Sequence, residues 1–263
     1  MSRMRSRGFR VPMGRRGFGR GGRGVGGGGG RGGRGGRRLG SLKMRLIIFA
    51  AMALFAIVGF LRTRGVNPIT GQVQYAALNV EEEIVLGLQA APEMAAKHGG
   101  LHPDREAQEQ VDIVGARLVA ASPAKDGPYT FEFHLLADDR TINAFALPGG
   151  QCFITAALYE QLETEGQLAG VLGHEIGHVI ERHGAEHLAK GKLTQGLTGA
   201  VAAASDDPRA AAAMAQAVGN LLNMKYGRDD ELESDGWGVQ LTAAAGYDPR
   251  GMIRVMEILA AAG

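Results

Sequence analysis

Apolar positions pass through three regimes along the chain. Residues 1–40 have no apolar period: 17 of them are Gly, interspersed with Arg as in Gly21-Gly22-Arg23-Gly24 and Arg31-Gly32-Gly33-Arg34. Too few apolar side chains are present to offset the entropy of ordering, so a disordered Arg/Gly-rich tail is expected over 1–42. From Leu46 to Leu61 the sequence is then uninterruptedly apolar, bounded by Lys43, Arg45, Arg62 and Arg64. Such a run rises about 24 Å as a helix, just short of a typical hydrocarbon core, and flanking Arg side chains can snorkel to the interface. No small-residue cleavage site clearly follows it. Residues 43–64 therefore read as an uncleaved signal anchor, a single transmembrane helix, rather than a removed signal peptide.

Beyond Gly65 the pattern becomes that of a folded domain. Residues 65–79, with Asn67-Pro68 and Gly71, read as a linker. Two amphipathic helices are expected at roughly 80–97 and 104–121, the second opening at Pro103-Asp104 with Val111, Val114 and Leu118 on one face. Tyr129, Phe131, Phe133 and Leu135 alternate with other residues as in a half-buried strand. Residues 143–147 and 151–154 flank Pro148-Gly149-Gly150 and read as two short strands joined by a turn. Thr164 with Gln167 makes a capping-box pattern that opens a long apolar helix. The Ala/Gly-rich stretch 193–223, broken by Ser205-Asp206-Asp207-Pro208-Arg209, reads as a helical hairpin over the site and not as a second membrane span. The pattern predicts an α+β fold, mostly helical with a small sheet, over residues 80–263.

Charge divides the molecule in the same place. Residues 1–64 hold 16 of the 29 Lys and Arg and none of the 27 Asp and Glu, the first of which is Glu81. By the positive-inside rule the basic N-terminus stays in the cytoplasm and the acidic body lies on the extracytoplasmic, periplasmic side. The Arg/Gly tail suits nucleic acid or anionic lipid, and nothing outside it suits nucleic acid. The single cysteine, Cys152, excludes an intramolecular disulfide framework and Cys-rich zinc sites, and its short apolar strand marks it as a buried small hydrophobe.

The chemistry concentrates in His174-Glu175-Ile176-Gly177-His178. Four residues place the two imidazoles about 40° apart on one helix face, where both can meet one Zn²⁺. Glu175, about 100° from His174, can reach a metal-bound water without being a ligand, the position of a general base. Catalytic zinc takes three protein ligands. A metzincin would supply the third through Gly at 181 and His at 184, but Glu181 and Gly184 stand there. The segment Arg228–Asp235 offers Glu231 instead, with Asp235 one turn on to accept the free ring N–H of a zinc-bound His. Glu233 lies about 200° from Glu231 and is the next candidate. His183 and His187, about 180° and 220° from His174 on a continuous helix, are expected to be structural or surface histidines.

The ordered series Asn143-Ala144-Phe145-Ala146-Leu147-Pro148-Gly149-Gly150, Leu172-Gly173-His174-Glu175-Ile176-Gly177-His178, Arg182-His183, Tyr226-Gly227-Arg228, Glu231 with Asp235, and Ala245-Gly246-Tyr247-Asp248-Pro249 resembles the gluzincin zinc metallopeptidase family of HtpX, BepA and the CAAX prenyl protease. The resemblance spans roughly residues 80–249. It implies a helical zincin domain with one Zn²⁺ per chain, whose edge strand at Asn143, Ala144, Phe145 and Ala146 binds substrate in extended form. Such relatives commonly continue past the Gly-Tyr-Asp-Pro segment into a further His and Arg; here no His follows His187, and no side chain is assigned as oxyanion stabiliser. The expectation is a zinc endopeptidase, anchored by residues 46–61, that cleaves unfolded or flexible polypeptide. The rival is a non-enzymatic chaperone or adaptor of the same fold, which has no need of a general base at Glu175.

Overall fold

The computed structural model describes residues 35–204 and 227–262. Residues from Ser41 onward cluster as one unit, separate from Met1–Gly40. The tail read over 1–42 falls outside the described residues as far as 34, and helix α1 (Gly35–Leu61) already contains its last residues. Within α1, the 20 residues Leu42–Leu61 are long and apolar enough to cross a membrane, and none of them is buried in the rest of the protein.

The segment 65–79 is more ordered than a linker. Strands β1 (Arg64–Val66) and β2 (Val73–Tyr75) pair antiparallel around a turn at Gly71. The buried Asn67 side chain donates to Ile180 O at 2.8 Å, and Gln74 Nε2 donates to Glu181 O at 2.8 Å. This hairpin docks through two side-chain amides together with Ile69, so no hydrophobic period announces it.

Helices α2 (Val80–Lys97) and α3 (Arg105–Ala120) start where their caps dictate. Asn79 accepts from Glu82 N and Glu82 returns a bond to Asn79 N, whereas Asp104 alone accepts from Glu106 N and Ala107 N. A 3₁₀ turn (Pro123–Asp126) leads to the three-stranded sheet: β3 (Glu132–Leu136), β4 (Ala144–Leu147) and β5 (Gln151–Thr155), in the order β3-β5-β4. β5 is central and buried throughout, parallel to β3 and antiparallel to β4. β3 begins later than the alternation from Tyr129 suggests, because the Tyr129 hydroxyl leaves the strand to donate to the buried Glu83 carboxylate. At the β4–β5 turn Gly149 and Gly150 take φ of +89° and +109°. A Cβ at Gly149 would meet Ile84 Cα at 2.6 Å, so both the conformation and the packing require glycine there.

After the short α4 (Ala156–Tyr159), helix α5 (Glu165–Ile180) runs through the centre of the core, with Leu168, Leu172, Ile176 and Ile180 packed among Val111, Val114, Leu118, Leu135, Cys152 and Ile154. Thr164 caps it by accepting from Gln167 N, while Gln167 Oε1 takes the N–H of Glu163 rather than that of Thr164. Helix α6 (His183–Ala204), α7 (Arg228–Ala244) and α8 (Gly251–Ala262) complete the described elements. The hairpin read over 193–223 is described only to Ala204 and otherwise lies outside the described residues.

Helices α5 and α7 meet along a glycine seam. A Cβ at Gly173 would stand 3.2 Å from Gly238 Cα, and one at Gly177 would stand 2.7 Å from Trp237 Cβ. With no side chains between them, the backbones approach closely enough for residues of α7 to reach those of α5.

Candidate metal centre

His174 and His178 lie one turn apart on α5, and the seam brings Glu231, in the first turn of α7, opposite them. The Nε2 atoms of the two histidines are 3.0 Å apart; Glu231 Oε2 is 3.6 Å from His174 Nε2, and its Oε1 is 3.9 Å from His178 Nε2. Two imidazole nitrogens and one carboxylate oxygen thus lie within 4.8 Å of one another. Bonds of about 2.1 Å in a tetrahedral site put ligand atoms about 3.4 Å apart. These spacings bracket that value, so the donor set fits a divalent ion of zinc's size and ligand preference. Asp235 Oδ1 sits 2.9 Å from His174 Nδ1, on the side of the ring away from the cluster.

Burial depends on role. His178 is nearly sealed, and burial, followed by the neighbouring His174 and His183, pushes its pKa down to about 2. A neutral imidazole is the form that ligates. Glu231 is half exposed, yet burial still raises its pKa above the ordinary carboxylate range, with His174 pulling it back.

Glu175 is buried beneath the pair. Its burial and the charge of Glu231 raise its pKa to about 8, against a backbone hydrogen bond from Ala146 that lowers it. That bond ties Glu175 to β4. Thr155 N donates to Asn143 O across the β4–β5 pair, and bonded and unbonded pairs alternate in an antiparallel ladder. Ala144 and Ala146 therefore turn their backbone groups away from β5, Ala146 N–H toward Glu175, while Asn143 and Phe145 face β5. Phe145 stacks on Phe153 with ring centroids 4.8 Å apart.

His183 is not on the far side of a continuous helix, because α5 ends at Ile180 and Arg182 adopts φ +59°, which turns the chain back. His183 Nδ1 consequently lies 2.9 Å from His178 Nδ1, and its Nε2 is 3.2 Å from Glu233 Oε2. Glu233, projected as facing away from Glu231, reaches the cluster through His183. The break is held by the buried Arg182, whose Nε donates to Glu83 Oε2 at 3.1 Å and whose Nη2 donates to Leu78 O at 2.7 Å. Helix α2 supplies this anchor through Glu83. Cys152 is fully buried, and burial raises its thiol pKa, as for a core hydrophobe.

With this geometry in hand, the chain was compared with known proteins. The model of peptidase family M48 matches residues 105–262. A putative beta-barrel assembly-enhancing protease of Vibrio cholerae is 32% identical over 73% of this chain and 41% of its own length. The beta-barrel assembly-enhancing protease of Escherichia coli K12 is 29% identical over 83% of this chain and 46% of its own. The mitochondrial metalloendopeptidase OMA1 of Arabidopsis thaliana is 33% identical over 49% of this chain and 26% of its own. The chain thus spans less than half the length of these relatives.

Proposed function

The chain belongs to peptidase family M48, so the residues that match it form a metallopeptidase domain, and from that premise we propose a membrane-anchored zinc endopeptidase that hydrolyses peptide bonds in unfolded or flexible protein segments. The observation that carries this reading is the convergence of His174, His178 and Glu231 beside a buried Glu175 that is hydrogen-bonded to an edge strand. The similarity to a protease and a metalloendopeptidase supports polypeptide as the substrate class.

His174, His178 and Glu231 would hold the ion, and Asp235 would fix the ring of His174. When bound, zinc supplies a Lewis acid and lowers the pKa of the attacking water. Ala144 and the carbonyl of Ala146 hold an extended peptide by main-chain hydrogen bonds along β4, with side chains of β4 contributing selectivity. Glu175 takes the proton of the attacking water and delivers it to the leaving amine; a carboxylate with a pKa near 8 is matched to that exchange. The candidate span Leu42–Leu61 anchors the domain, and the basic N-terminal side places the catalytic domain outside the cytoplasm.

The test uses the purified full chain. About one zinc per chain is expected, with casein cleavage abolished by a chelator and restored by zinc. Glu231→Gln and His178→Ala should lose the metal and the activity together. A Glu231→Gln chain that keeps its zinc would move the third ligand elsewhere, and a zinc-loaded chain that binds casein without cutting it would make this a peptide-binding module instead. For topology, a reporter fused after Gly263 should be active only outside the cytoplasm; cytoplasmic activity would invert the orientation.

A further inference from the structure

We propose that His183, backed by Glu233, is a positioning residue that selects the metal-ligating tautomer of His178; this rests on the metal-centre reading above. The two rings meet nearly edge to face, 73° apart, with Nδ1 of one 2.9 Å from Nδ1 of the other. Two ring nitrogens at that distance form a hydrogen bond only if one carries the proton and the other does not.

The groups behind His183 decide which. Glu233 Oε2 lies 3.2 Å from His183 Nε2, and a carboxylate accepts, so the His183 proton belongs on Nε2. A neutral His183 then presents an unprotonated Nδ1. The Ser234 hydroxyl, 3.3 Å from the same Nδ1, can donate to it in that state. His178 must therefore carry its proton on Nδ1 and direct the lone pair of Nε2 at His174 and Glu231, where the ion would sit. The opposite tautomer would point an N–H at the ion.

The arrangement differs from the one at His174, whose Nδ1–H is taken directly by Asp235 at 2.9 Å. A carboxylate on α7 serves His174 without an intermediary, while His178 is served through the imidazole of His183. Glu231, Glu233 and Asp235, at every second position of one helix turn, thus act on one centre: the first as ligand, the others behind the two histidines. Helical spacing alone turns Glu233 away from Glu231, and only the reversal at Arg182 brings His183 round to meet it. His183 is almost wholly buried, and a ring in that enclosure has few alternative orientations.

The test compares full-length chains carrying His183→Ala, His183→Asn and, as control, His174→Ala, by competition of bound zinc against a chelator. His183→Ala should weaken zinc binding about 10–100-fold, the usual cost of losing a group that orients a ligand. His183→Asn keeps an acceptor for the His178 N–H and should recover most of that loss, which a merely structural role would not predict. Zinc affinity unchanged in His183→Ala, or no recovery in His183→Asn, overturns the proposal. If His174→Ala also leaves zinc affinity unchanged, the metal centre itself has been misplaced, which is a different failure. A readout independent of folding of the variants is ¹⁵N NMR of the histidines in the unsubstituted chain: Nδ1–H at His178 with Nε2–H at His183 is expected, and the reverse pair of tautomers sinks the idea.

Discussion

The two outer strands of the sheet offer the same backbone chemistry and are treated in opposite ways. Along β3 the side chain of Gln108 lies over the outer edge as a substitute strand, accepting from Leu135 N at 2.8 Å and donating to Phe133 O at 2.9 Å. The chain at 100–102 continues the cover: His102 N donates to Leu135 O, Ala137 N to Gly100 O, and Leu101 bridges Leu136. Along β4 the outward N–H of Ala146 faces Glu175 instead. An uncovered strand edge captures any extended chain, so proteins ordinarily blunt it. Here one edge is blunted by α3, and the edge beside the candidate base is the one turned toward the chemistry. The two edges thus differ in which one carries a glutamine, not in the strands themselves.

This contrast can be attacked from the chemical side first. Glu175→Gln leaves β4 and the metal ligands intact, so it should still bind zinc and an unfolded peptide while turnover falls by about 10²–10⁴. Peptide affinity by fluorescence anisotropy, set beside single-turnover cleavage, checks this; cleavage at the parental rate would remove Glu175 from the mechanism. Gln108→Ala should cost about 1–3 kcal/mol of stability by stripping Leu135 N–H and Phe133 C=O of their partner, with zinc content and kcat/KM unchanged. Denaturant unfolding measures it, and a fall in kcat/KM at equal stability would mean that β3 also takes part in substrate binding.

A smaller effect comes from Ala144→Pro. Proline is tolerated where an edge N–H faces outward, so the fold and metal should survive while the loss of one donor lowers kcat/KM by up to about tenfold. An unaltered kcat/KM would show that substrate does not pair there. The smallest concerns the loop joining the two edges. The His98 ring at 2.8 Å, with the N–H groups of Thr141 and Arg140, holds the Asp138 carboxyl well below the usual carboxylate range. A depressed folded-state pKa contributes stability above the unfolded value of about 3.9 and loses it as pH falls below that. Asp138→Asn should lower stability slightly at neutral pH and flatten the acid limb, so that variant and parent converge as pH falls below about 4, as thermal melts across that range would reveal.

How much of this could be read beforehand depended on the range of the cause. The ligand spacing on α5, the caps at Asp104 and Thr164 and the turn at Gly149-Gly150 are local, so the sequence displays them within a few positions. That Glu231 lies beside the histidine pair was also accessible, because its acidic helix turn is the stretch that offers a carboxylate after the helix of the two histidines. The role of His183 was hidden, since it depends on a helix break with no Gly or Pro at Arg182, imposed by Glu83 across 99 positions. Glu83 itself sits in the run Glu81-Glu82-Glu83, which looks like a solvated helix start although its third member is buried. Likewise the hairpin at 64–75 is held by Asn67 reaching Ile180, 113 positions on, and polar pairings of that reach leave no periodic trace.

The glycine seam between α5 and α7 has a consequence for how finely the centre is machined. Where two helices touch through side chains, a rotamer can shift to absorb an error; where they touch backbone to backbone, the gap is a fixed gauge. A methyl at Gly177 would stand 2.7 Å from Trp237 Cβ, where carbon atoms settle at about 3.5–4.0 Å, so α7 would have to back away by about 1 Å. Metal–ligand bonds hold to about 0.2 Å. A shift of that size is several times the tolerance of a metal site, so one added carbon at Gly177 would carry Glu231 away from the histidine pair.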